Sequence, residues 1–204
     1  MMRKQKGNGQ KRQRGQSFVE LALVLSLLIF MLAGVVEFGY LLNQYITLVE
    51  GTRETARVLS PQKFFKADGT PNTELFVNGA AHLGGGLYVL NGENLVVAPE
   101  SSSLWPITLD ETMDDIVISI FSIDDDGTLI RYPDENGYRR FGNETSRFSD
   151  DDIKAKLVSG APKTGAVLVE VFYHYHQILN LLEGWTGPIA VHAYSILPLS
   201  GAEP

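Results

Sequence analysis

Apolar residues are spread very unevenly along this chain. From Leu21 to Val36 there is no charge, and the only hydroxyl is Ser26. With its flanks this run supplies roughly the 20 apolar residues that cross a hydrocarbon core as a helix. A lone spanning segment must satisfy its backbone hydrogen bonds internally, which predicts a helix. The run is apolar all round rather than along one stripe, unlike the core helix of a soluble domain. Beyond Leu42 the pattern changes without a break. Tyr45, Leu48, Val49, Thr52, Ala56 and Leu59 recur at helical spacing. Glu50, Arg53, Glu54 and Arg57 take the polar side, with opposite charges three apart in Glu50–Arg53 and Glu54–Arg57. One helix over 16–60 follows, transmembrane in its first half at about 18–42 and roughly 60 Å long. Ser17 reads as its N-cap, with Glu20 three residues on as in a capping box. Gly51 weakens it by about 1 kcal/mol relative to alanine, and Pro61 ends it.

Residues 61–204 read as one head domain of alternating and β-branched patterns. A short helix is predicted over 71–83, stopped by Gly84-Gly85-Gly86. Leu87–Leu90 and Leu95–Ala98 flank Asn91-Gly92, a hairpin signal. Ile116–Ile123 is apolar on both faces, as a central strand is, and Asp124 to Gly127 turns it into Thr128–Tyr132. Pro133–Arg147 reads as loop. Ser149 with Asp150, Asp151 and Asp152 starts a helix that should end near Gly160, the acids lying at its positive dipole end. Ala166–His176 and Ile189–Leu197 are strands, with a turn of helix expected over Ile178–Leu182. Hairpin-connected strands beside a long helix predict an α+β fold, an antiparallel β-sheet head packed on the N-terminal helix.

Charge adds a direction. Six of the 17 basic residues lie before Gly15 with no acid among them, leaving 11 basic against 24 acidic residues, a net of −13, beyond it. Basic flanks stay in the cytoplasm, so the N-terminus is expected inside and the head outside a cytoplasmic membrane crossed once. The leader 1–15, rich in Lys, Arg, Gln and Gly, should be disordered, and Met1-Met2 leaves two candidate starts. A nucleic-acid partner is not expected, because the acidic body repels phosphate. The apolar run is too long for a secretory signal core, and no small-x-small cleavage site follows it.

The junction between leader and apolar run is more specific. Gly15 closes the basic stretch, and Glu20 lies inside the start of the helix. A carboxylate near a bilayer is costly, about 2.5–3.5 kcal/mol at its centre and less at the interface, so it calls for a partner or a role. Gly15-Gln16-Ser17-Phe18-Val19-Glu20 resembles the processing site of type IV pilin-like proteins. The longer pattern Q-S-F-V-E-L-A-L-V-L, with Gly34, Glu37-Phe38-Gly39 and Arg53-Glu54-Thr55-Ala56-Arg57, is similar to TadE-like minor pilins of the tight-adherence (Tad, or Flp) pilus. Three positions depart from the family's habit. Ser26 stands where proline is frequent, Leu21 where phenylalanine is common, and Thr55 where a small residue is usual.

The resemblance implies cleavage between Gly15 and Gln16 by a prepilin peptidase. It also implies that Glu20 pairs with the new N-terminal amine of a neighbouring subunit. Opposite charges at the edge of a low-dielectric layer attract far more than in water, and the pairing would set axial register. Gly34 and Gly39 are candidate points of close helix approach. Membrane lipid, other pilin subunits and the Tad assembly platform are the implied partners, and the extracellular pilus a possible destination.

The head offers little chemistry. Cysteine is absent, which excludes disulfides and thiol reactions. The triple glycine at 84–86 has no phosphate-binding lysine after it. His174 and His176 share a strand face, yet no third zinc ligand is evident. Ser122, Asp124 and Asp126 imitate a calcium loop, but serine replaces its first aspartate and Pro133 its closing glutamate. Asn143-Glu144-Thr145 matches a glycosylation sequon. No nucleophile elbow occurs. No cofactor and no enzymatic activity are expected. The expected function is a minor pilin-like subunit taking part in pilus assembly and adhesion. The alternatives are a non-polymerising single-pass protein with a partner-binding head, and a membrane-anchored hydrolase or metalloenzyme.

Overall fold

The computed structural model describes residues 10–66, 70–83, 88–91, 94–97, 107–123, 126, 128–157, 165–180 and 187–199. The long helix α1 spans Gln10–Leu59. It is already helical at Gln10, ahead of the start expected at Ser17, so Ser17 is an interior residue and not the cap. Five of the residues in 10–14 are Gln, Lys or Arg, all good helix formers, and a single glycine at 15 costs only about 1 kcal/mol. The disorder expected of the leader does not hold for 10–14; residues 1–9 lie outside the described residues.

Helix α2 covers Thr73–Leu83. The hairpin β1 (Tyr88–Asn91) and β2 (Asn94–Val97) occurs where the Asn-Gly signal places it, but Asn91 belongs to the strand, paired with Asn94, rather than to the turn. The main sheet contains β3 (Asp115–Ile123), β4 (Leu129–Tyr132), β5 (Tyr138–Arg139), β6 (Gly165–Tyr175) and β7 (Ile189–Leu199). Its order is β4-β3-β6-β7, with β5 also on β3, and every pair is antiparallel. The architecture is α+β, a long apolar helix followed by an antiparallel sheet domain.

The central strands β3 and β6 are buried on both faces. Ile116, Ile118 and Ile120 of β3 and Val167, Val169 and Val171 of β6 meet Leu48, Ala56 and Leu59 of α1 and Phe76 of α2. On the other face Phe121 and Leu168 pack with Ile153 of α3 (Asp150–Lys154). This double burial explains why β3 and β6 are apolar without alternation. At two points a glycine permits the packing. A Cβ on Gly79 would lie 2.9 Å from Leu59, and one on Gly137, whose φ is +75°, would run into the Ser119 hydroxyl.

Three expectations need correcting. The 133–147 segment contains β5, because backbone pairing with Val117 and Ile118 outweighs its turn-rich composition. Helix α3 stops at Lys154, well short of Gly160, although its Ser149–Asp152 capping box forms as predicted. Residues 178–179 form a bend rather than helix, followed by Asn180 at φ 50°; residues 181–182 of the expected turn lie outside the described residues. A carboxylate from α1 takes the amides of 178 and 179, as described below.

Candidate functional site

The surface that distinguishes this protein is the first half of α1. From Phe18 to Val36 its large apolar side chains stand exposed; Phe18, Leu23 and Val35 are each about 70% accessible. Mean hydropathy over the best 18-residue window of the Gly15–Leu59 helix is 2.7, with none of that window buried in the protein. Burying this surface requires lipid or other helices.

At its start, the Gly15–Gln16 bond lies within the helix, and both residues are exposed. A Cβ on Gly15 would touch nothing, so packing within the chain does not demand glycine there. Glu20 is exposed one helical turn from Gln16, whose side-chain amide donates to its carboxylate at 3.4 Å. Gly34 and Gly39 are exposed too, with open space around each. Five residues apart, they point about 140° from one another around the helix and do not share one face.

The second half of α1 is held by the head. Gly51, Thr52, Thr55, Ala56 and Leu59 are buried, and Glu54 pairs with Arg57 at 3.2 Å. Ser60 donates to the Pro198 carbonyl at the end of β7. Far back along the helix, Glu37 makes a separate attachment. Its Oε1 accepts from the Tyr175 hydroxyl at 2.8 Å and from the Ile178 amide at 2.6 Å; its Oε2 accepts from the Leu179 amide at 3.1 Å. Burial, reinforced by the Glu37 carboxylate, pushes the Tyr175 phenol up to about 12, so it remains a donor.

Residues 15–57 match the family model described as TadE-like protein. No curated protein and no solved structure matches the chain. The match opens on Gly15 and runs along α1 almost to its end, so it covers both the bare and the buried half of the helix. The TadE-like segment lies on a helix long and apolar enough to cross a membrane, and together they point to a membrane-anchored protein associated with the Tad pilus machinery in general terms. The last two residues of α1 and the whole head lie outside the matched region.

The head's own polar groups act mainly as staples. Asp115 is fully buried and accepts from the Ile116, Phe141 and Glu144 amides. Asp114 accepts from the Asp110 amide, the His174 amide and His174 Nδ1, the last at 3.0 Å. His174 is therefore engaged by a carboxylate, and no cluster of three or more metal-ligating side chains occurs among the described residues. Asp126 closes its turn by accepting from Thr128, while Asp124 of the calcium-like pattern lies outside the described residues. The Asn143 amide donates to the Glu111 and Asp114 carbonyls, so the sequon's nitrogen already ties two loops together.

Sequence reasoning missed two residues, Glu37 and Glu170. Glu170 is wholly buried between Val169 and Val171. Its Oε1 accepts from the Arg147 amide and lies 3.1 Å from His192 Nε2, while Oε2 has no hydrogen-bond partner. One acid in an otherwise apolar strand was the available signal. For Glu37 the signal was a carboxylate within the nominal span, read only as part of a family motif.

Proposed function

We propose that this protein is a minor pilin-like structural subunit of a Tad-type surface pilus. Prepilin peptidase trims it between Gly15 and Gln16, and it takes part in pilus assembly and adhesion. It acts by packing rather than by catalysis. The leader stays in the cytoplasm, the helix crosses the inner membrane once, and the head lies outside. The observation that carries this reading is the TadE-like match beginning at Gly15, on a helix whose first half is apolar and unpartnered. Lateral packing of such helices against other pilin subunits would replace their contact with lipid.

Glu20 is the register element in this reading. In the uncut chain its nearest polar contact is the neutral Gln16 amide. Cleavage creates a charged amine one turn away, and in a filament the amine of an adjacent subunit competes for the same carboxylate. The test is the N-terminal sequence of the chain extracted from cells with the matching peptidase. A start at Gln16 is expected in the wild type, and no trimming in Gly15→Leu. An intact leader in the wild type, with the peptidase active on another substrate, would refute processing. Glu20→Ala should still insert in the membrane yet be recovered poorly in filaments; normal recovery would remove its pairing role.

A further inference from the structure

Glu37 ties the head to α1 just past the uncharged apolar run. Ser17 to Val36 is a stretch of about 20 residues, long enough for the hydrocarbon core. The next residue is the one that holds the head's 176–180 segment through Tyr175, Ile178 and Leu179. The clamp satisfies both partners. The carboxylate gains three donors at a depth where water is scarce, and two loop amides lose their need for water. With those amides paired, the Ile178–Leu179 tip can approach the acyl boundary without an unmet backbone donor, while the polar side chains beside it stay at headgroup level. Two of its side chains are apolar and bare, Ile178 at 54% and Leu179 at 42% exposed, and the polar His176, Gln177 and Asn180 flank them. Phe38, the residue after Glu37, is 64% exposed.

We infer that Ile178 and Leu179, held against α1 by Glu37, form a second membrane contact that seats the head on the outer leaflet at the headgroup–acyl boundary. The occupant of this patch is lipid, because the patch is continuous with the bare helix surface at the height where the apolar run ends. The inference rests on the helix spanning a bilayer, and its test separates the two claims.

The chain has no cysteine, so single cysteines can carry a spin label in full-length protein reconstituted into phospholipid vesicles. Phe30→Cys reports on the span, Ile178→Cys on the loop with Leu179→Cys as its duplicate, and Thr128→Cys on the far end of the sheet. Collision with lipid-soluble oxygen is compared with collision with an aqueous nickel chelate. At Phe30 and Ile178 oxygen should exceed nickel several-fold, and at Thr128 the ratio should invert.

Water-like behaviour at Ile178 and Leu179 with a lipidic Phe30 overturns the inference and leaves the span standing; a water-like Phe30 sinks the span itself. Shielding of Ile178 from both reagents, with spin–spin broadening that grows with protein density, would assign the patch to a second copy and overturn the lipid contact. Adding Glu37→Ala to Ile178→Cys should shift the label toward nickel. An unchanged ratio would overturn the clamp's role.

Discussion

The two halves of α1 are ordered oppositely in hydrophobicity and in burial. The first half carries Leu, Ile, Phe and Met, and buries almost none of them. The second half carries Gly51, Thr52, Thr55 and Ala56 at its contact face, and these are fully enclosed. Small residues let the helix axis come close to β6, β7 and α2, so the contact is made by backbone proximity and by a few larger anchors such as Leu48 and Leu59. Large residues in the first half are arranged around the whole helix and match a fluid or multi-partner surroundings. Hydrophobicity marks the half that needs an external environment, whereas small size marks the half that is already packed.

Truncating one leucine in each half tests this contrast at its largest. Leu59 is fully buried, against α2 and the sheet. Leu59→Ala should destabilise the head by about 2–5 kcal/mol, the usual range for a core leucine. Leu28, 58% exposed in the bare half, should change head stability by no more than about 0.5 kcal/mol when replaced by alanine. Thermal unfolding of the full chain in detergent, followed by near-ultraviolet circular dichroism, measures both. Equal effects would mean that the head depends on the first half of the helix as well.

Much of this organisation could be read from residue patterns. The long apolar helix, the change of pattern after Leu42, the central strand at 116–123 and the Ser149 cap each follow from local periodicity or a local motif. So does the TadE-like match, since its motif residues lie on one continuous helix. The corrected features depend on distant partners. β5 is only two residues long and is made a strand by β3, which lies some 20 residues earlier. The 178–179 bend owes its amide partner to Glu37, about 140 residues away. Pairings at such separation leave no periodic trace in either segment. Glu170 is intermediate: its apolar strand neighbours were visible, but His192 and Arg147 as its partners were not.

The boundary between the two halves can be probed at Tyr175. Its ring is fully buried, while its hydroxyl reaches Glu37 at 2.8 Å. Tyr175→Phe keeps the packing and removes one of the carboxylate's three donors. Because Glu37 is only partly enclosed and keeps two backbone amides, the loss should be about 1–2 kcal/mol, near the lower end for a hydrogen bond to a charged group. The same unfolding measurement reads it. No change would show that the two amides alone hold the junction, and the close approach of head to helix at Glu37 would then owe nothing to the phenol.

The smallest effect concerns imperfection inside the packed half. Thr52 and Thr55 are both fully buried on α1. Thr52 donates back to the Val49 carbonyl at 2.9 Å, whereas the Thr55 hydroxyl has no hydrogen-bond partner. Burial without a partner leaves that hydroxyl's desolvation cost uncompensated. Thr55→Val has nearly the same shape and helix propensity and removes the hydroxyl, so it should stabilise the head by about 1 kcal/mol. Thr52→Val removes a satisfied group and should be neutral or slightly destabilising. Opposite signs at two threonines one turn apart would show that the contact face is optimised for closeness at Thr55 rather than for polar satisfaction. A loss of stability in Thr55→Val would instead mean that the hydroxyl contributes to the contact, and that this half of the helix is polar by design as well as small.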